Sequence, residues 1–258
     1  MHASTLQRFV VRMFYDPTLV DAVYDGDPVT GLDPGSRALL TATDRRAWTA
    51  DPYRQVRSLH ALIEEFPVSA AAAGLEPLRG FFSSDAFHQM IMTRGSMALA
   101  FGAWVEHLAG PLARIEHAMA RVRRADTPEG AGIICAPTVR IVNVADNTIS
   151  QFNALRARLG PDPVTAISSG AVSPLVPTPF TETMALLIEA DAQGQVSVSG
   201  ASPALAALLL FAERPRAFVE MVAEAGRLGA GPDEDTALVD SLVADGLLTR
   251  LGQPEPSS

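Results

Sequence analysis

Four Asp-Pro pairs fall within the first 52 residues, at Asp16-Pro17, Asp27-Pro28, Asp33-Pro34 and Asp51-Pro52. An aspartate carboxylate accepts the unpaired N–H groups at a helix start. A proline just after it is already set near the helical φ and lacks an N–H that would have no partner there. Apolar positions between the pairs keep the helical period. Leu6, Phe9, Val10 and Met13 form one stripe, and Val56, Leu59, Leu62, Ile63 and Phe66 form another until Pro67 stops it. The pattern predicts a compact set of short helices over residues 5–66.

Helical grammar continues beyond it. "SSDAFHQMIMTRGSMALAFGAWVEHLAG" predicts one helix from a Ser-Ser-Asp cap to Gly110-Pro111, with Arg94 interrupting an apolar row. Burying an unpaired guanidinium is costly, so Arg94 is expected to reach water or a carboxylate. "PLARIEHAMARVRRA" predicts a further helix whose closing arginines suit the negative end of its dipole. After "ADTPEGAG" the pattern changes: the β-branched run "IICAPTVRIVNVA" reads as extended, "TISQFNALRARLG" as a short helix, and "PDPVTAISSGAVSPLVPTPF" as a connector. "TMALLIEAD" and "QVSVSG" are strand candidates around a turn at Gly194. Helices are expected at Pro203–Ala212, Pro215–Arg227 and Glu234–Asp245, with Gly246 in the left-handed position that ends the last.

The expected fold class is therefore α+β and mostly helical. A helical domain would occupy 1–125, a mixed strand and loop connector 126–180, a second domain 181–252, and a disordered tail 253–258.

Composition narrows the function. The 258 residues are 48% hydrophobic and 19% charged, enough to bury a core. A net charge of −9 repels a phosphate backbone, which argues against nucleic acid as a partner. All the basic residues are arginine, which a GC-rich genome explains without a functional reason. Cys135 is the only cysteine, so neither an internal disulfide nor a thiolate cluster can form, and in its apolar run it behaves as a small hydrophobe. The apolar stretch at the start is too short for a signal peptide, and "ASPALAALLLFAERP" is far below the ~20 residues a bilayer span needs. A soluble, cytoplasmic chain is expected.

No catalytic constellation emerges. His2, His60, His88, His107 and His117 make no metal-ligand spacing. There is no phosphate-binding glycine pattern, and the Ser168-Ser169-Gly170 run lacks the flanking glycines of a nucleophile elbow. Catalytic residues and metal ligands are accordingly expected to be absent from this chain.

The order strand, turn, strand and three helices, closing on "LVDSLVADGLL", resembles the PqqD-like peptide-recognition domain of modified-peptide pathways, a small winged helix also called a RiPP recognition element. The resemblance spans about Met184 to Leu251. The front, from "LQRFVVRMFYDPTLVDAVYDGDP" to "HALIEEFPVSAAAAGLEPLRGFF", resembles the helical partner proteins of multinuclear non-heme iron oxidases of the DUF692 class, as in 3-thiaglutamate and methanobactin type pathways. These resemblances imply a non-catalytic accessory subunit that binds the leader of a precursor peptide and docks on the oxidase as a heterodimer. Iron would belong to the partner enzyme, with no cofactor in this chain. They also imply peptide contacts at Gln195, Val196, Ser197, Val198, Asp235, Leu238 and Leu242, in a groove between an exposed strand edge and the last helix. Exposed acids, Asp235 and Asp240 among them, would face the peptide. Phe9, Phe14, Tyr15, Tyr24 and Trp48 are expected to supply an exposed aromatic docking face. Two other readings stand beside this one: a winged-helix regulator that binds DNA, and a small-molecule enzyme built from dispersed residues such as Arg94 and His107.

Overall fold

A computed structural model describes residues 3–51, 53–126, 128–172, 182–231 and 234–252. The expected tail at 253–258 and the last part of the expected connector, 173–181, lie outside the described residues. The protein is α+β and mostly helical, with two small antiparallel sheets. It divides into two compact units, one of residues 1–116 and 151–177, the other of 117–150 and 178–258.

The first unit is all helical among its described residues. α1 (Ala3–Tyr15) is followed by α2 (Pro17–Asp25), α3 (Pro34–Thr41), α4 (Arg45–Thr49), α5 (Arg54–Glu65), α6 (Pro67–Ala73) and α7 (Leu75–Leu78). Asp16 accepts from the Leu19 N–H at 3.2 Å to start α2, and Asp33 accepts from the Ser36 N–H at 3.0 Å to start α3. Asp27-Pro28 starts no helix. Asp51 precedes α5 by a turn, where it pairs with Arg54 and Arg57. Phe9, Met13, Leu19, Val20, Val23, Leu40 and Trp48 form one core cluster.

The helix expected from Ser83 to Gly110 is two: α8 (Asp85–Thr93) and α9 (Met97–Ala109). Arg94 ends α8 in the left-handed region at φ 54°, and the Gly95 N–H returns to the Met90 carbonyl at 2.9 Å. Ser96 then caps α9, accepting from Leu99 N–H at 3.4 Å. Arg94 is thus an exposed terminator, which meets the expectation that it reaches water. α10 (Pro111–Arg123) and α11 (Thr148–Leu159) follow the expected pattern. The expected connector contains a further helix, α12 (Pro163–Ser168), which Asp162 caps by accepting from the Thr165 N–H at 3.0 Å.

In the second unit, β1 (Gly132–Cys135) and β2 (Val139–Ala145) form from the β-branched run. β3 (Thr183–Ala190) and β4 (Val196–Ala201) make a hairpin turned at Gly194, whose φ is 77°. β3 is the centre of the sheet β2-β3-β4; Val139 pairs with Glu189 at one end of β2 and Ala145 with Thr183 at the other. Three helices follow: α13 (Pro203–Phe211), α14 (Phe218–Arg227) and α15 (Asp235–Ala244). α14 begins later than Pro215 because Arg216 is tied to β1, exchanging N–H and carbonyl with Ile133 at 2.7 and 2.8 Å. β5 (Leu248–Leu251) then pairs with β1 from Cys135↔Leu248 to Gly132↔Leu251. The unit boundaries differ from those expected at 125/126 and 180/181, because β1 and β2 pair with strands roughly forty to more than a hundred residues later. Leu187, Leu208, Leu209, Met221, Val239, Leu242 and Leu248 share its core with Cys135.

Candidate functional site: the β4 edge and the groove beside α13

β4 has a partner on one side only among the described strands. Its backbone alternation follows from two bonds at the ends of β3: the Ala190 N–H donates to Thr138, on the β2 side, and the Asp191 N–H to Gln195, on the β4 side. Inward and outward groups alternate along an antiparallel pair. Ser197, Ser199 and Ala201 therefore bond inward to β3, while Val196, Val198 and Gly200 present their N–H and carbonyl groups to the open edge. Edges are usually blunted by charge, proline or a bulge. From Gly194 to Ser202 this edge carries no charged residue and no proline.

Side chains alternate too. Ala201 and Leu187 pack on the helix-side core with Leu208 and Leu242, so Ser197 and Ser199, both exposed, share that face. Val196 and Val198 are half-buried and lie on the opposite face. The groove expected between their side chains and the last helix is thus corrected in two respects. The strand residues on the helix side are Ser197 and Ser199. The cavity itself, about 300 Å³, is bounded by α13, the end of α14 and α15, with Ser202, Leu205, Leu208, Leu228, Leu238 and Leu242 among its lining. It borders the end of β4, since Ser202, one of its lining residues, is both the next residue after the strand and the cap of α13, accepting from the Leu205 N–H at 3.2 Å.

Of the expected peptide contacts, Leu238 and Leu242 meet at this cavity, Leu238 at its rim with 39% exposure and Leu242 buried. Gln195 is in the hairpin turn, where its N–H donates to the Asp191 carboxylate at 2.7 Å. Asp235 sits half-buried at the start of α15, its carboxylate accepting from the Thr236 N–H at 2.8 Å, and does not line the cavity. Asp240 is exposed and pairs with Arg250 of β5. Leu205, Leu208 and Leu228 complete the cavity and were missed. The sequence signal for Leu205 and Leu208 is the unbroken apolar run of α13, which has no polar face to orient it, whereas Leu228 lies just past α14.

The chain matches no protein-family model and no curated protein.

The expected aromatic docking face is corrected by the first unit's core. Phe9 and Trp48 are buried. Phe14 packs against Trp48 at 5.2 Å between ring centroids, Tyr15 stacks on Phe82 at 5.3 Å, and the Tyr24 hydroxyl accepts from the Trp48 indole N–H at 2.9 Å. None of the five is exposed, because helices this short must pool their largest side chains to make a core. The exposed apolar residues of this unit are others, Tyr53, Leu39 and Val56 among them.

The residues considered for chemistry are dispersed. His107 is exposed and engages the Trp104 carbonyl through its own ring nitrogen. Burial lowers the pKa of His88, helped by the nearby Arg12 and Arg8 charges. Burial also pushes the Cys135 thiol up to about 11, which keeps it protonated near neutral pH. Among the described residues no three of His, Cys, Asp and Glu gather as metal ligands, and no helix is long and apolar enough to cross a membrane.

Proposed function

We propose that the second unit is a winged-helix peptide-recognition domain of the PqqD-like kind, within a non-catalytic accessory subunit. It binds the leader of a ribosomally made precursor and presents it to a multinuclear non-heme iron oxidase, which carries the iron. The observation that supports this most is the open, uncharged β4 edge, whose strand ends beside an apolar cavity. An extended peptide adds to the edge through main-chain hydrogen bonds at Val196, Val198 and Gly200, and these bonds supply affinity without reading sequence. One apolar side chain then enters the cavity beside Leu205, Leu238 and Leu242, and this contact supplies selectivity. The order of hairpin and three helices supports the winged-helix assignment. The net charge of −9 weighs against the DNA-binding alternative. Contact with the oxidase rests on the resemblance of the first unit, since the five aromatics first assigned to it fill its core.

The test begins with selection from a random decapeptide library on the full chain, followed by titration of a selected peptide into isotope-labelled protein. Amide shifts at Val196, Val198 and Gly200 are expected. Val196→Pro removes an outward N–H at the strand's first position, where proline is tolerated, and should weaken binding without unfolding the sheet. Leu238→Asp should weaken it through the cavity. Unchanged affinity in both folded variants, or shifts confined to other surfaces, overturns the peptide site. Separate elution of the chain and a co-expressed oxidase of this class at micromolar concentration overturns the partnership.

A further inference from the structure

The sheet's other edge borders a second cavity, wholly within the same unit. It has a volume of about 310 Å³ and is lined by Arg121 of α10, Arg140 of β2, Glu213 just beyond α13, and the apolar side chains of Ile134, Val139 and Leu209. Arg140 is half-buried. Its Nη1 donates to the carbonyls of Pro137 at 3.3 Å and Val139 at 2.6 Å, which fixes the guanidinium against its own strand. Its other N–H groups have no partner among the described residues, and neither Arg140 nor Arg121 forms an ion pair there. Burial first, and then the Arg121 charge, hold the Arg140 guanidinium below its usual pKa, while Cys135 and Glu213 act in the opposite direction.

Two like charges facing one partly desolvated space repel unless an anion joins them. Guanidinium groups present planar pairs of N–H donors that match a carboxylate. Counting Arg121 and Arg140 as positive, Glu213 as negative and the Cys135 thiol as neutral leaves a single positive charge on the lining. That balance suits a monoanion. A phosphate dianion would meet Glu213 and an apolar wall. We propose that this cavity binds a small organic monocarboxylate, with its carboxylate between Arg121 and Arg140 and its hydrocarbon body against Ile134, Val139 and Leu209. The site stands independently of the peptide reading, since it lies at β2 and the peptide edge is β4.

Sodium 4-methylpentanoate is a suitable probe, titrated into the full isotope-labelled chain and followed at the arginine side-chain N–H and the Ile134 and Val139 methyl resonances. Saturable shifts confined to this cavity are expected. The neutral 4-methylpentanamide, of the same shape, should bind at least about tenfold more weakly, and so should the acid to Arg121→Gln, because a charge-assisted hydrogen bond is lost in each case. Arg121 is exposed, so this variant should keep its fold, which circular dichroism checks. Glu213→Gln should tighten binding of the acid and admit inorganic phosphate, which the unaltered chain should reject. Equal binding of acid and amide, unchanged affinity in folded Arg121→Gln, or no shift up to roughly 50 mM, beyond the millimolar range of even weak specific sites, overturns the proposal.

Discussion

Glu116 is 4% exposed, and its carboxylate takes three hydrogen bonds. Oε1 accepts from the Val68 N–H at 2.9 Å, and Oε2 accepts from the Ser69 N–H at 2.8 Å and the Ser69 hydroxyl at 2.6 Å. These N–H groups open α6, whose own capping position, Phe66, has no acceptor side chain. A carboxylate on α10 therefore does for α6 what a local aspartate does for α2. Burial pushes the Glu116 pKa up to about 7, against the pull of the Ser69 and Val68 hydrogen bonds and the Arg156 charge. A folded pKa above the unfolded value of 4.5 means that the folded state holds the proton more tightly. Its contribution to stability is complete below about 4.5 and is lost as pH rises through about 7. Gln at this position is neutral at every pH, so Glu116→Gln should lack this pH-dependent term, and the stability difference between the two proteins should move in the variant's favour as pH rises from 5 to 8. Thermal melts of both proteins across this range check it, and parallel pH profiles would contradict it.

At the scale of elements, caps decide where helices begin and end. Asp162 starts α12 inside a segment whose prolines, serines and glycines suggest a loop. Asp162→Ala should cost about 1 kcal/mol, measured by urea denaturation, and should speed amide exchange at Thr165. Arg94 has the opposite role. It is the only non-glycine residue with positive φ among the described residues, and it divides α8 from α9. Arg94→Gly relieves the steric cost of that conformation but adds freedom to the unfolded chain, so a net gain of about 0.5–1 kcal/mol is expected. A lower melting temperature in Arg94→Gly would show that the arginine side chain contributes more than its backbone costs.

At the scale of the whole molecule, the second unit is discontinuous in sequence. A fragment of residues 182–252 contains the hairpin and three helices that resemble a complete domain. It lacks β2, the partner of β3, and β1, the partner of β5. The fragment should leave Leu187 and Leu248, both core residues, partly uncovered and should show no cooperative thermal transition. Joining residues 117–150 to 182–252 through a short Gly/Ser linker should restore one. A sharp melt of the shorter fragment would mean that β1 and β2 are dispensable.

The sequence by itself determined what depends on near neighbours. Aspartate, serine and proline at fixed spacing start α2, α3 and α13. Apolar period assigns α1, α5 and α10, and β-branched runs assign β1 and β2, because in each case the deciding contacts lie within a turn or one face. The sequence also indicated a strand edge at β4, and it placed Leu238 and Leu242 on the last helix, where they line a cavity. Only the tertiary structure decided which strands pair, since β1 and β5 meet across more than a hundred residues and nothing local encodes that register. It decided that Phe9, Phe14, Tyr15, Tyr24 and Trp48 pack inward, because an aromatic stripe has the same pattern whether a core or a partner covers it. It alone brought Leu205 and Leu208 to Leu238, Arg121 to Arg140, and Glu116 to Ser69. Such meetings depend on how whole elements stack, and burial strengthens them in ways that spacing along the chain does not reveal.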